Sequence, residues 1–349
     1  MMNRRELLTR VAGVTLGTWA QSIRGPCPVA QLGPATQRTR ALFEFERLQF
    51  GVSYHFGMNT FTGDDYETGA VPVDTYNPKH LDVRQWIQMA HELGARYAVL
   101  TAKHMSGFCL WDSQGYDYDV AASPNKTDVV AKFVSACGEY GLRHGFYYCI
   151  VDPHNEGKVD WDSVVSDSYY KLIEHHLTEL HSRYPNTFYQ LLDITWKLSQ
   201  DQRWELYRLV KRFSPNCIVV MNQGFPQSRR NRGRICEPAS WPTDVINAED
   251  SLPLSEVHRP YIDFEGQTYY MPMESWIPTG PAYKPIPPMH RWFWCEGFAT
   301  QSVDVITAAY KDCKHSGANL LLNFSPDKTG RLADEAVKTI REVARKIRN

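Results

Sequence analysis

What most constrains this chain is an alternation that begins near residue 48: continuously apolar runs take turns with segments of helical periodicity. Strands without polar alternation are buried on both faces, and the intervening helices are the crossovers that parallel strands need. Residues 50–57 form the first apolar run, ending at His55. Residues 81–94 then put Val83, Trp86, Ile87, Ala90 and Leu93 on one helical face, with Gly94 as a stop. Residues 96–100 predict a second strand leading into Thr101-Ala102-Lys103-His104. Val129, Val130, Phe133, Val134 and Cys137 predict a helix capped at Thr127 and ended by Gly141.

The same rhythm predicts strands at 142–151, 188–196 and 217–221, with a helix at 163–184 between the first two. Ser199-Gln200-Asp201-Gln202 is a capping box that opens a helix running to Phe213. Between 225 and 300 prolines are frequent and Arg229, Arg230, Arg232 and Arg234 cluster, leaving β-like pieces at 244–249 and 269–276. A helix at 303–315, a strand at 318–324 and a helix at 334–347 close the chain. Eight β/α units predict a (β/α)8 TIM barrel, irregular around strands 5 to 7, whose long loops lie on the functional face. A doubly wound open sheet is the alternative, but it lacks a Gly-rich nucleotide turn here.

With 38 Lys+Arg against 39 Asp+Glu, non-specific binding to nucleic acid or an anionic membrane is not expected. No stretch is long enough to span a bilayer, and nothing in the sequence signals an oligomeric state. Asn3-Arg4-Arg5 followed by the apolar run 11–20 and Thr18-Trp19-Ala20 resembles a twin-arginine export signal. The expectation is therefore a signal at 1–30, a single catalytic barrel at 31–349, and a periplasmic or extracellular protein. The eight cysteines show no zinc-ligand spacing, and disulfides remain open.

Barrel chemistry gathers where strands end. The polar residues there are His55, Lys103 and His104, Asp152 and His154, Asp193, Asn222 and Gln223, Glu249 and Asp250, Glu274, and Asn323. Two chemistries suit such a pocket. Paired carboxylates with aromatic walls point to glycoside hydrolysis. His55, His104, Asp193 and Glu249 could also be ligands of a metal-dependent hydrolase, although no tight metal motif is present.

Phe50-Gly51-Val52-Ser53-Tyr54-His55-Phe56-Gly57 resembles the first strand of the α-L-fucosidases of glycoside hydrolase family 29. The stretch from Val99 through Lys103-His104-Met105-Ser106-Gly107-Phe108 to Trp111-Asp112-Ser113 is similar to that family's second-strand signature. Gly145-Phe146-Tyr147-Tyr148, Asp152-Pro153-His154, Asn319-Leu320-Leu321-Leu322-Asn323 and Pro326-Asp327-Lys328-Thr329-Gly330 match further motifs. The resemblance implies a barrel fold, a retaining exo-glycosidase releasing fucose or a closely related sugar from a glycan, and no cofactor or metal. It implies Asp193 as nucleophile and Glu249 as acid, with Glu274 and Asp250 as alternative acids. His55, His104, Asp65 and Tyr66 become sugar ligands, and Trp292 and Phe293 the wall.

Departures from the family pattern are Met105 where a second His is usual, Ile194 after Asp193 where Gly is common, and Asn222-Gln223-Gly224 in place of Asn-Asp-Arg. The usual C-terminal β-sandwich is absent from this sequence. These differences keep a catalytically inactive fucose-binding protein among the readings.

Overall fold

A computed structural model of the chain describes residues 37–66, 69–222, 241–253, 260–264, 267–282 and 290–348. The expected export signal lies outside them. The strands are β1 (Phe50–Tyr54), β2 (Tyr97–Lys103), β3 (Arg143–Cys149), β4 (Tyr189–Asp193), β5 (Ile218–Met221), β6 (Ile246–Glu249), β7 (Tyr261–Phe264), β8 (Gln267–Tyr270), β9 (Met273–Pro278) and β10 (Asn319–Phe324). β7 and β8 form a separate antiparallel hairpin. The other eight make one parallel sheet in the order β5-β4-β3-β2-β1-β10-β9-β6.

Helices α1 (Gln37–Leu48), α2 (Met58–Thr62), α3 (Val83–Leu93), α4 (Val129–Tyr140), α5 (Pro153–Glu156), α6 (Asp167–Arg183), α7 (Gln200–Phe213), α8 (Val303–Ser316) and α9 (Asp334–Arg348) accompany it. The capping box at Ser199 forms as expected. The cap of α4 is Asp128 rather than Thr127. Its carboxylate accepts from the Ala131 N–H at 2.7 Å, while the Thr127 N–H turns back to Asn125.

The sheet curls into a TIM barrel, and the seam between β5 and β6 is stitched differently from the other ladders. The Asp244 N–H donates to the Val219 carbonyl at 2.8 Å, and Asp244 Oδ2 accepts from the Val219 N–H at 3.0 Å. Thr243 Oγ1 takes the Met221 N–H. Asp244 is fully buried, and ion pairs to Arg38 (2.9 Å) and Lys211 (2.7 Å) hold it charged there.

Side chains alternate faces along a strand, so two apolar layers result. Val52, Leu100, Phe146, Leu192, Val219 and Leu322 belong to the cluster between sheet and helices. Tyr97, Val99, Tyr147, Tyr189, Leu191, Val220, Trp276 and Leu321 fill the barrel interior. α1 closes the N-terminal end: Leu42 and Phe45 belong to the interior cluster, and the Phe45 carbonyl accepts from Asn319 Nδ2.

The expected seventh strand at 269–276 is two elements. Tyr269 and Tyr270 end β8, and the barrel strand begins only at Met273. Pro272 separates them because it has no N–H to give to a ladder.

Candidate active site

The interior parity of each strand decides what reaches the C-terminal mouth. In β4 it is Tyr189, Leu191 and then Asp193, the last residue of the strand. In β5 it is Ile218 and Val220, followed by Asn222 just beyond the strand. In β6 it ends on Glu249, and in β10 it runs through Leu321 to Asn323. His55 follows β1 in the same phase. One ring of interior positions thus collects two carboxylates, two carboxamides and an imidazole.

Asp193 is almost fully buried, 8% exposed, and every hydrogen bond to it favours the ionised form. Its Oδ2 accepts from the Tyr147 hydroxyl at 2.6 Å. Its Oδ1 accepts from Asn222 Nδ2 at 2.8 Å and from the Ile194 N–H at 2.9 Å. Burial outweighs these bonds and raises its pKa. Asn222 Nδ2 also donates to Glu249 Oε2 at 2.9 Å. That shared nitrogen keeps the two carboxylate oxygens within about 5.7 Å, 2.8 Å plus 2.9 Å. Glu249 is pushed up to about 8, first by burial and then by the charge of Asp193. The two carboxyls therefore have unequal environments.

The histidines are also unequal. His55 Nδ1 lies 2.7 Å from Asn323 Oδ1. Asn323 Nδ2 is turned to the Trp292 carbonyl, so Nδ1 of His55 carries the proton and Nε2 is left as the acceptor. Burial lowers His55 to about 3, so the ring is neutral. His104 stacks on Tyr147, 15° from parallel, while its buried Nδ1 has no hydrogen-bond partner among the described residues. An unpaired lone pair costs less than an unpaired N–H, so the proton sits on Nε2 and His104 is a donor. The pair offers one acceptor and one donor.

Several of the expected site residues are held by protein partners. Asp65 is 3% exposed, and its oxygens accept the N–H groups of Trp292 and Phe293 at 3.1 Å each. It holds that backbone in place. Trp292 and Phe293 are buried and pack on His55 at 5.0 Å each, Phe293 also on His104 at 4.8 Å, so they brace the imidazoles. Tyr66 is half-buried against the interior cluster. Met105 is buried in that cluster.

Glu274 is not at the mouth. It is the second residue of β9, fully buried at the N-terminal end, where the hydroxyls of Tyr97 (2.6 Å) and Tyr189 (2.5 Å) donate to it. Asp250 has both oxygens engaged by His290, by its N–H at 2.9 Å and its Nδ1 at 2.8 Å.

Lys103 leaves the pocket because a bulge between Thr101 and Lys103 reverses its face. It pairs with Asp152 at 3.1 Å and meets the Tyr169 hydroxyl of α6 at 3.0 Å. His154 stacks on Tyr118, and Gln223 lies outside the described residues. Trp111 and Ser113 of the second-strand motif anchor to Glu179 of α6, a structural role.

Tyr147 is not singled out from the sequence as a pocket residue, and Asn222 is read there only as one of the polar strand ends. The period-2 phase of β3, which points Gly145, Tyr147 and Cys149 inward, was the available signal. Among the described residues no three His, Cys, Asp or Glu side chains converge to hold a metal ion. Six cysteines described (109, 137, 149, 217, 295 and 313) are unpaired.

A sequence model described as "Alpha-L-fucosidase" matches residues 35–253 of this chain. The chain belongs to the alpha-L-fucosidase family. Alpha-L-fucosidase 1 of Arabidopsis thaliana is 26% identical over 333 residues, covering 91% of this chain and 60% of its own length. The chain thus spans about three fifths of that relative's length. Among solved structures, alpha-L-fucosidase isoenzyme 1 of Paenibacillus thiaminolyticus aligns with TM-score 0.74 and 22% identity over 90% of this chain and 76% of its own. An alpha-L-fucosidase of Lactobacillus casei, solved with its α-L-fucose product, gives TM-score 0.69 and 18% identity over 88% and 97%. At such identities these two show the shared fold.

Proposed function

We propose that this member of the alpha-L-fucosidase family is a retaining exo-glycosidase that releases α-L-fucose, or a sugar of related configuration, from a glycan. The observation that carries the reading is the carboxyl pair Asp193 and Glu249, tied to one amide nitrogen and kept within about 5.7 Å. Retaining enzymes need their two carboxyls roughly 5–5.5 Å apart, whereas inverting ones leave 6.5 Å or more for a water.

Asp193, bound by three donors, is the nucleophile. A carboxylate oxygen forms a bond to the anomeric carbon as the bond from that carbon to the leaving oxygen breaks. Glu249, protonated up to about pH 8, passes its proton to the leaving oxygen. In the second step Glu249 takes a proton from water, whose oxygen displaces Asp193 and restores the starting state. His55 and His104 meet sugar hydroxyls with their acceptor and donor edges. The Lactobacillus relative's product supports fucose as the sugar. The N-terminal twin-arginine pattern supports export before action.

A panel of aryl glycosides with and without EDTA tests the reading. Hydrolysis of the α-L-fucoside, insensitive to EDTA, with loss in Asp193→Gly and partial rescue by azide, is the expected result. Fucose binding without turnover of any aryl glycoside would overturn it in favour of a sugar-binding protein, and chelator inactivation in favour of a metal-dependent hydrolase.

A further inference from the structure

We propose that Asn222 is a positioning residue that follows the negative charge as it moves between nucleophile and acid. This rests on the reading of Asp193 and Glu249 as the catalytic pair. Asn222 has two side-chain N–H groups and spends one on each carboxylate. Its aim is fixed from behind. Its backbone N–H donates to the Leu192 carbonyl at 2.8 Å, and its carbonyl accepts from Thr195 Oγ1 at 2.8 Å. Both partners flank Asp193, so Asn222 and the nucleophile move as one body.

Two consequences follow from hydrogen-bond chemistry. Glu249 Oε2 accepts from Asn222, so the proton that Glu249 carries sits on Oε1. The amide therefore chooses which oxygen acts as the acid. Before the first step the negative charge is on Asp193, and the stronger of the two bonds is to Oδ1. As a carboxylate oxygen of Asp193 bonds to the anomeric carbon, its charge is consumed. The proton leaving Glu249 Oε1 for the departing oxygen places a charge on Glu249, whose Oε2 already faces a donor. Hydrogen bonds to ionised groups are about twice as strong as neutral ones. The second bond strengthens as the first weakens, with no reorganisation. The second step reverses the exchange.

Other titratable groups face the pair: Tyr147 and Cys149 from β3, Asp250 beside Glu249 with His290 on it, and His55 and His104 across Tyr147.

The test uses Asn222→Ala and the isosteric Asn222→Asp, checked for native folding by circular dichroism. Three substrates are compared, a fucosyl fluoride, an activated aryl fucoside and a fucosyl disaccharide. Asn222→Ala should lose roughly ten- to a hundredfold in kcat/KM on the disaccharide. Its loss on the fluoride, which needs no acid, should be several-fold smaller but real, because Asp193 still loses a donor. Equal losses on all substrates would reduce Asn222 to a structural part.

Carbon-13 carboxyl NMR supplies a readout independent of turnover. The Asp193 and Glu249 signals, assigned by their absence in Asp193→Asn and Glu249→Gln, should both titrate about one pH unit higher in Asn222→Ala. Unmoved titrations would overturn the proposal even in an active enzyme. If wild type turns over no fucoside, the functional reading fails while the titration still decides the role of Asn222.

Discussion

The Tyr147 hydroxyl donates a hydrogen bond to Asp193 Oδ2 at 2.6 Å while its ring lies nearly parallel to that of His104. One side chain thereby holds both the Asp193 carboxylate, the proposed nucleophile, and the His104 ring. Tyr147→Phe keeps the ring and deletes only the donor. A hydrogen bond to a charged group contributes about 1.5–3 kcal/mol. The variant should therefore lose roughly ten- to a hundredfold in kcat/KM, with the acidic limb of its pH profile moved upward. Unchanged kcat/KM would show that Asp193 does not depend on this bond.

The pH dependence follows from the two carboxyls. The proposed mechanism needs Asp193 ionised and Glu249 protonated. Both groups are raised by burial, Glu249 to about 8, so the active window is displaced upward and closes near pH 8 as Glu249 ionises. Glu249→Gln should remove that basic limb. It should also slow fucosides of poor leaving groups by about 10²–10⁴, with little effect on 2,4-dinitrophenyl leaving groups. Equal losses on both substrate types would place the acid elsewhere.

Much of this site can be read from the sequence by phase alone. Asp193, Glu249, Asn323 and His55 fall on the inward parity of apolar strands, and the apolar runs locate those strands within a few residues. Two features are not readable that way. The bulge at Thr101–Lys103 changes parity inside an unbroken strand, which turns Lys103 out to α6. Pro272 shortens the seventh strand from its N-terminal side, so Glu274 moves from the mouth to the floor of the barrel. Bonds made by sequence-distant loops, such as Asp65 to the Trp292 and Phe293 amides, depend on tertiary contacts that no local pattern encodes.

Glu274 should reveal itself in stability rather than turnover. Burial raises it to about 7 from an ordinary 4.5. Below pH 4.5 both folded and unfolded chains hold the proton and the full contribution is present. As pH rises through 7 the unfolded chain has already released its proton and the folded one must follow. The contribution is then lost, by on the order of 3 kcal/mol. Glu274→Gln should flatten the fall in urea-measured stability between pH 4.5 and 7 and leave kcat largely intact. A large loss of kcat in a folded Glu274→Gln protein would contradict its placement on the barrel floor.

Ile194 supplies the last prediction. It follows Asp193 with φ 60° and ψ 42°, a left-handed conformation that disfavours a side chain branched at Cβ. The turn aims the Ile194 N–H at Asp193 Oδ1, so local strain is retained where the Asp193 carboxylate receives a donor. The side chain is 9% exposed within the interior cluster, and that burial offsets the strain. Truncation separates the two effects. Ile194→Ala loses the burial and keeps a left-handed penalty of roughly 1–2 kcal/mol. Ile194→Gly loses the same burial and sheds the penalty, against an entropic cost of about 0.5–1 kcal/mol. Glycine normally destabilises relative to alanine; here the order should invert, with Ile194→Gly the more stable by up to about 1.5 kcal/mol in urea unfolding. Because the N–H keeps its direction, Ile194→Gly should also retain more activity. The usual order, alanine above glycine, would mean that this turn does not hold residue 194 left-handed in solution.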